Sequence, residues 1–169
     1  EKAVLSALLH DNDAIHAVLS EVRPQDFYHP AHQQLYQSMI VLKDATEPVD
    51  LHTLANHLNE QKLLDAVGGA VYLAEIFDYE VTAANVVQHA RIVRDKSVKR
   101  SLIAVATEIV ESGFEEAEAA DRLLDHAESK VFDIGRAKSR DTFHSLHDEM
   151  QEAMDFVEML LERGGEPTG

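Results

Sequence analysis

The chain has 169 residues, 45% of them hydrophobic, with a formal net charge of −16 and no cysteine. The lack of cysteine excludes a disulfide framework, a zinc ribbon and a cysteine nucleophile, and it suits a reducing, cytoplasmic setting. The excess of acidic residues argues against nucleic-acid binding by this part of the protein alone, because such binding needs clustered Lys and Arg. No apolar run approaches the roughly 20 residues of a membrane span.

The first helices are indicated by apolar residues at three- and four-residue spacing. Asn12 is expected to cap a second helix that carries Ile15. The stretch RPQDFYHPAHQQLYQSM predicts a helix that begins at Pro30, because proline suits a first helical turn. Phe27 is expected to pack beneath the start of that helix as a core residue.

Two further short helices are predicted before residue 80. Asp50 is expected to cap the first of them, which carries Leu54 and Leu58. Gly68 and Gly69 then break the chain ahead of a second, more apolar helix.

The stretch from about Thr82 to Gly113 contains no Gly or Pro before its last residue. We interpret it as two antiparallel helices, a hairpin at about 83–112 that turns near Lys96, with Ser97 as a cap. One continuous helix is the alternative. Gly113 is expected to end the element. Its apolar stripes comprise Val86, Ala90 and Val93, then Leu102, Val105 and Ile109.

The last part of the chain is predicted to hold a helix, a linker and a second helix. A helix is expected from about Ala119 to Gly135, followed by the polar linker GRAKSRDT. The segment at about 143–162 is strongly amphipathic, with an acidic outer face. Its apolar seam comprises Phe143, Leu146, Met150, Ala153, Val157 and Leu160. The closing RGGEPTG is interpreted as a connection to a further segment.

The polar residues of the chain carry no recognisable signature of catalysis. The chain has no G-x-x-x-x-G-K-[ST] phosphate-binding loop and no H-E-x-x-H pair. His29 and His32 stand three residues apart, but two imidazoles are too few for a closed zinc site. We therefore expect no metal, no bound cofactor and no catalytic residue in this chain, and we interpret these histidines as incidental to a helix start.

Several blocks in register resemble one family. They are AVLSALL, DFYHPAHQQLYQSMIVL, EPVDLHTLANHLNEQKLLDAVGGAVYLAEI and TAANVVQHARIVRDKSVKRSLI, in that order. Together they resemble the N-terminal domain of bacterial DnaB-type replicative DNA helicases, and AMDFVEMLLERGGEPTG resembles that family's linker helix. The likeness spans essentially the whole chain.

The resemblance implies an all-α collar domain at 1–135, a helical head with a protruding antiparallel helical hairpin. A linker region at 136–169 with its separate amphipathic helix would follow. Hairpins from two subunits would pair, and three dimers would form a collar on a hexameric ring. The pairing residues would then be Val86, Ala90, Val93, Leu102, Val105 and Ile109. The RecA-like motor domain, with its ATP and Mg²⁺ site and its DNA contacts, would lie outside this chain.

The resemblance also implies partners. The linker-helix seam would dock on the neighbouring subunit's motor domain, and the collar would receive the primase C-terminal domain and a helicase loader. Our candidates for part of the partner surface are the basic residues Arg91, Arg94, Lys96, Lys99 and Arg100. Two other readings stay open: a stand-alone helical adaptor that shares the fold, and a metal-dependent helical hydrolase that uses the histidines.

Overall fold

Helices form wherever the sequence repeats apolar residues with helical spacing. The structure, a computed structural model, describes residues 1–79, 85–114 and 120–136, and these contain helices and no strand. The predicted all-α class is confirmed. The α-helices are α1 (Lys2–His10), α2 (Ala14–Leu19), α3 (Pro30–Asp44), α4 (Leu51–Glu60), α5 (Gly69–Phe77), α6 (Val86–Gly113) and α7 (residues 120–136), with a 3-10 helix at Pro24–Asp26 between α2 and α3.

The chain divides into two units, Glu1–Ala104 and Val105–Gly169. The first unit holds α1 to α5 and the beginning of α6 around one core. Near its centre the rings of Phe27 and Tyr36 lie 5.0 Å apart, and both are fully buried. The Tyr36 hydroxyl donates to the Val22 carbonyl at 3.3 Å. Burial, and secondarily the Asp26 carboxylate, raises the pKa of Tyr36 far above its usual range, so this phenol stays neutral.

The starts of α3 and α4 follow the predicted capping chemistry. α3 begins at Pro30, and the Nδ1 atom of His29 accepts the Ala31 N–H at 3.2 Å. The Asp50 carboxylate accepts the amides of His52 and Thr53, each at 2.9 Å. These bonds satisfy amides that the first turn of a helix leaves without partners. The predicted core position of Phe27 is also confirmed.

The predicted cap at Asn12 is wrong. α2 begins at Ala14 after Asp13, and the Asn12 side chain bonds instead to Val49, which is 37 residues away. Its Nδ2 donates to the Val49 carbonyl at 2.9 Å, and its Oδ1 accepts the Val49 amide at 2.6 Å. The side-chain amide of asparagine both donates and accepts, so a single asparagine can satisfy the backbone carbonyl and the backbone N–H of one residue. The side chain closes the loop before α4.

The predicted turn near Lys96 is also wrong, because α6 is one continuous helix of 28 residues. Ser97 is not a cap. It is buried on the same face as Val86, Ala90 and Val93, since steps of three and four residues keep one helical face. With no Gly or Pro before Gly113, nothing in the sequence stops the helix earlier. The predicted end at Gly113 is confirmed.

The second unit contains the end of α6 and all of α7, the helix expected at about 119–135. The predicted linker and the amphipathic helix at about 143–162 lie outside the described residues. The proposed domain boundary at residue 135 stays a prediction.

Candidate subunit-interaction surfaces

An antiparallel helical hairpin does occur, but α7 forms its second arm. In the second unit, the Glu108 carboxylate accepts from Lys130 Nζ at 2.8 Å and from His126 Nε2 at 3.0 Å. A Cβ atom at Gly113 would lie 3.8 Å from a methyl of Leu123. Residues later in α7 thus meet residues earlier in α6, which defines opposite directions. Lys130, followed by His126, lowers the pKa of Glu108, so the carboxylate stays charged.

The hairpin leaves large apolar side chains in water. The exposed set on its two arms, including the residue that follows α6, is Val110, Phe114, Leu124, Val131 and Phe132. Phe114 is 83% exposed and Phe132 is 64% exposed. When two helices pack against each other, each covers one apolar stripe of the other. Apolar residues on the remaining faces of the two helices stay exposed. Large exposed apolar side chains are typical of surfaces that bind another protein, so this set is the candidate interaction surface of the hairpin.

The basic residues at the start of α6 bind mostly within their own unit. Arg91 pairs with Glu21 at 2.7 Å. Arg94 Nη1 lies 3.4 Å from Asp26 Oδ2, and both side chains are largely buried. Arg100 donates to the Asp26 carbonyl at 2.7 Å, and its guanidinium lies 5.4 Å from the centroid of the Tyr28 ring. Of the five predicted partner-surface residues, these three therefore hold α6 against the segment that follows α2. Lys96 and Lys99 are exposed.

A buried histidine joins three helices on another side of the first unit. His32 is 6% exposed; its Nδ1 lies 2.5 Å from a Glu1 oxygen, and its Nε2 lies 2.8 Å from the Tyr72 hydroxyl. With the proton on Nδ1, the neutral ring donates to Glu1 and accepts from Tyr72, so every polar atom is satisfied. Glu1 also accepts the Tyr28 amide at 2.6 Å.

Two pKa values follow from this network. Burial lowers the pKa of His32, and the hydrogen bond to Glu1 offsets only part of that effect. Burial raises the pKa of Glu1, but hydrogen bonds from His32 and from the Tyr28 and His29 amides outweigh it and leave the pKa below its usual range. The interpretation of these histidines as incidental is wrong: His29 caps α3, and His32 ties together the starts of α1 and α3 and the side of α5. Sequence reasoning missed the set because its members are 31 and 40 residues apart.

The described residues offer no metal centre. Within 1–79, 85–114 and 120–136, no three His, Asp or Glu side chains stand where they could share a metal ion. The rings of His29 and His32 lie 5.0 Å apart, but the Glu1 carboxylate and the Tyr72 hydroxyl already engage His32. In the same ranges no helix is long and apolar enough to cross a membrane.

Comparison with known proteins places this arrangement in a family. The sequence profile of the DnaB-like helicase N terminal domain matches residues 1–95, more than half of the chain. The chain belongs to this DnaB-like helicase N-terminal domain family. Its sequence is 40% identical over 169 residues to the replicative DNA helicase DnaB of Geobacillus stearothermophilus and 37% identical to the replicative DNA helicase DnaC of Bacillus subtilis.

The DnaB-like match covers the whole chain but only part of each relative. All 169 residues align, yet they span 37% of the length of either relative. The replicative DNA helicase DnaB of Mycobacterium leprae is 35% identical, with 29% of its length covered. The crystal structure of the N-terminal domain of DnaB helicase from Mycobacterium tuberculosis has a TM-score of 0.73 and 37% identity, and the match covers 78% of this chain and 93% of that one.

The residues that the DnaB-like resemblance assigned to hairpin pairing fall into two groups. Val86, Ala90 and Val93 are buried in the core of the first unit, beneath their own helix. Leu102 is 43% exposed, while Val105 and Ile109 are half-buried. Their pairing role stays a prediction. The sequence does not single out the apolar residues of α7 as pairing candidates, because its pattern favours a second arm within residues 83–112.

The linker-helix seam predicted from the DnaB-like resemblance lies outside the described residues. It comprises Phe143, Leu146, Met150, Ala153, Val157 and Leu160. Its docking role therefore stays a prediction as well.

Proposed function

We propose that this chain is the collar and linker part of an ATP-driven replicative DNA helicase that acts in the cytoplasm. Membership of the DnaB-like family and the names of the relatives support the proposal. In the complete protein, a motor domain outside these residues would bind ATP and Mg²⁺ and contact DNA. The collar would assemble subunits and would contribute no catalytic group.

The observation that carries the assembly role is the uncovered apolar surface of the hairpin. A second copy offers the same apolar residues, and a two-fold contact places each patch against its equivalent. Pairing of two hairpins would produce a four-helix arrangement with an interior, which is the usual way in which short amphipathic helices bury their apolar faces. Three such dimers would then complete a hexameric collar.

Sizing of the chain in solution tests this assembly role. Multi-angle light scattering at increasing concentration is expected to give a dimer or a multiple of it. Leu124→Glu should lower that mass, because it places a charge in the pairing surface. Gln37→Glu, on an exposed position of α3, is the matched control and should leave the mass unchanged. A monomer at all concentrations would contradict hairpin pairing.

The partner role is tested separately. Primase C-terminal domain is expected to bind the assembled collar, and Lys96→Glu with Lys99→Glu should weaken that binding if the exposed lysines contribute. A helicase loader is a further proposed partner for the collar and linker. Isothermal titration of collar with the primase domain, at two salt concentrations, measures the effect, since contacts between exposed charges weaken with salt. Unchanged affinity in the double variant would remove these lysines from the partner surface.

The proposed linker-helix role needs the full-length protein. Met150→Asp or Val157→Asp should disrupt the hexameric ring and leave the collar folded, because each puts a carboxylate into an apolar seam. Native mass spectrometry distinguishes the ring from smaller forms. A hexamer that survives both substitutions, with duplex unwinding intact, would contradict this role for the linker helix.

A further inference from the structure

The face of α6 that packs within the first unit changes its chemistry along the helix. Val86, Ala90 and Val93 are buried in the hydrophobic core. Steps of four and three residues continue the same face through Ser97, which is also buried, and Arg100. Along α6, Val93 is the last residue in the hydrophobic core. The face is therefore apolar as far as Val93 and polar beyond it.

Two arginines connect the polar part of this face to Asp26, and we call their contacts the Asp26 clasp. Arg94 Nη1 lies 3.4 Å from the Asp26 carboxylate, and Arg100 Nη2 donates to the Asp26 carbonyl at 2.7 Å. The Arg100 guanidinium also lies 5.4 Å from the centroid of the Tyr28 ring, which is 72% exposed. The Asp26 clasp thus attaches α6 through hydrogen bonds and charge, where the earlier turns attach through apolar packing.

The Asp26 side of the clasp is fixed in place. The Asp26 carboxylate also accepts the Arg23 amide at 2.8 Å, at the start of the 3-10 helix. The next residue, Phe27, is fully buried beside the ring of Tyr36. Asp26 therefore cannot follow α6 when that helix moves, so such a movement opens the clasp.

We propose that the Asp26 clasp is a releasable contact. In its closed form the part of α6 from Arg94 to Ala104 lies along the rest of the first unit, and in its open form that part projects into water. Opening brings no core residue into water, and the separated guanidinium and carboxylate groups form hydrogen bonds with water instead. Detachment of Val86, Ala90 and Val93 would, by contrast, expose apolar surface whose burial stabilises the fold. These three residues therefore stay packed in both forms.

Opening of the clasp requires α6 to bend just after Val93. Helices bend sharply where a side chain or a water molecule enters the backbone hydrogen-bond ladder. Ser97 lies on the face that would lengthen, and a serine hydroxyl can bond to the carbonyl four residues earlier, here that of Val93. The sequence thus places a residue that favours bending where the apolar part of the face ends.

Spin-label distances within one chain test the release, because the chain has no cysteine of its own. Labels at Gln37→Cys on α3 and Ser101→Cys on α6, both at exposed positions, report on the part of α6 beyond the clasp. Gln37→Cys with Gln88→Cys is the matched pair, because Gln88 is exposed on the apolar-packed part of α6. Labelled chain is diluted into an excess of unlabelled chain. Each distance then arises within one copy, and the result is independent of hairpin pairing.

Removal of the two arginines should open the clasp. Arg94→Gln with Arg100→Gln is expected to raise the population of a second, longer distance in the Ser101-labelled pair about tenfold, because a charged hydrogen bond changes an equilibrium by at least that factor. Lys96→Gln with Lys99→Gln removes the same charge from exposed positions of α6 and should leave this distance unchanged. A single, unaltered distance in the Gln88-labelled pair shows that each variant is folded.

Salt provides a second test that leaves the clasp residues intact. In the parent chain the second distance of the Ser101-labelled pair should become more populated as salt rises to about 1 M, since salt weakens the attraction between the charges. One unchanged distance both in the folded arginine variant and at high salt would overturn the proposal. A second distance that appears equally in both labelled pairs would also overturn it, because the whole of α6 would then have detached.

Discussion

Phe132 provides a quantitative test of the hairpin surface. It is 64% exposed, and a phenylalanine offers on the order of 200 Å² of surface, so about 130 Å² stays in water by that estimate. Covering this area is worth about 3 kcal/mol at roughly 25 cal/mol per Å². A two-fold contact contains two copies of the residue, which doubles the upper limit to about 6 kcal/mol.

Only part of that free energy appears as affinity, because association also costs rigid-body and side-chain freedom. We take half of that upper limit, about 3 kcal/mol, as the contribution of the two rings to the free energy of dimerisation. Phe132→Ser should therefore raise the dissociation constant of the dimer by roughly 100-fold. Sedimentation equilibrium over a wide concentration range measures that constant. Asp133→Ser, at the next exposed position of α7, is the control and should change it less than about threefold.

A Phe132→Ser dissociation constant equal to that of the parent chain would refute the reasoning. It would mean that the exposed ring stays in water after association, so another face of the molecule would have to hold the dimer. A lower thermal stability of the monomer, by contrast, is not expected, because the ring contributes little to the folded monomer while it is exposed.

Three further predictions concern the first unit. Asn12→Ala should lower the free energy of unfolding, measured in urea, by about 1–3 kcal/mol, because it removes both hydrogen bonds to the backbone of the buried residue Val49. An unchanged midpoint would contradict the loop-closing role. The melting temperature should rise from about pH 5 to pH 7. Below the usual His pKa of about 6.5, His32 is protonated in the unfolded chain, whereas burial lowers its pKa in the folded chain, so acid favours unfolding. His32→Gln should flatten this dependence, and an equally steep profile would exclude His32 as its source. Arg94→Ala should lower the free energy of unfolding by about 1–3 kcal/mol, because the largely buried Asp26 carboxylate would lose the opposite charge of Arg94 and keep the Arg23 amide. Exposed Lys99→Ala should stay within about 0.5 kcal/mol of the parent chain, and equal effects would contradict the difference in burial.

Local chemistry explains which parts of the fold were predictable. Pro30 and Asp50 act within four residues of their own position, so their helix starts were evident from the sequence. The core position of Phe27 was likewise indicated locally, by its place just ahead of the helix that begins at Pro30. Asn12 and Ser97 were misassigned because Asn and Ser serve equally well as caps and as partners in tertiary packing. Only the folded chain reveals that Val49 lies beside Asn12 or that the core covers Ser97.

The interaction surfaces were predictable in kind but not in place. The sequence indicated a hairpin with unsatisfied apolar faces, yet it did not indicate which two helices form it. Either half of residues 83–112 makes an acceptable amphipathic helix, so periodicity alone does not show that the two halves are one helix and that the chain turns only after Gly113. The decisive contact is the pair of bonds from Lys130 and His126 to Glu108. His126 is 18 positions and Lys130 is 22 positions from Glu108, beyond the range of any helical spacing rule.

The packing of α1 against α5 has a consequence for how the protein is made. Leu5 and Leu8 are completely buried, and Ser6 donates to the carbonyl of Tyr79 at 2.7 Å, across 73 positions of sequence. At about 5–20 residues per second, a ribosome needs several seconds to add the residues that cover α1. During that interval the leucines of α1 stay open to other chains and to chaperones. Because α1 is synthesised well before α5, which helps to cover it, we expect nascent chains cut short before α5 to aggregate rather than to persist as folded intermediates.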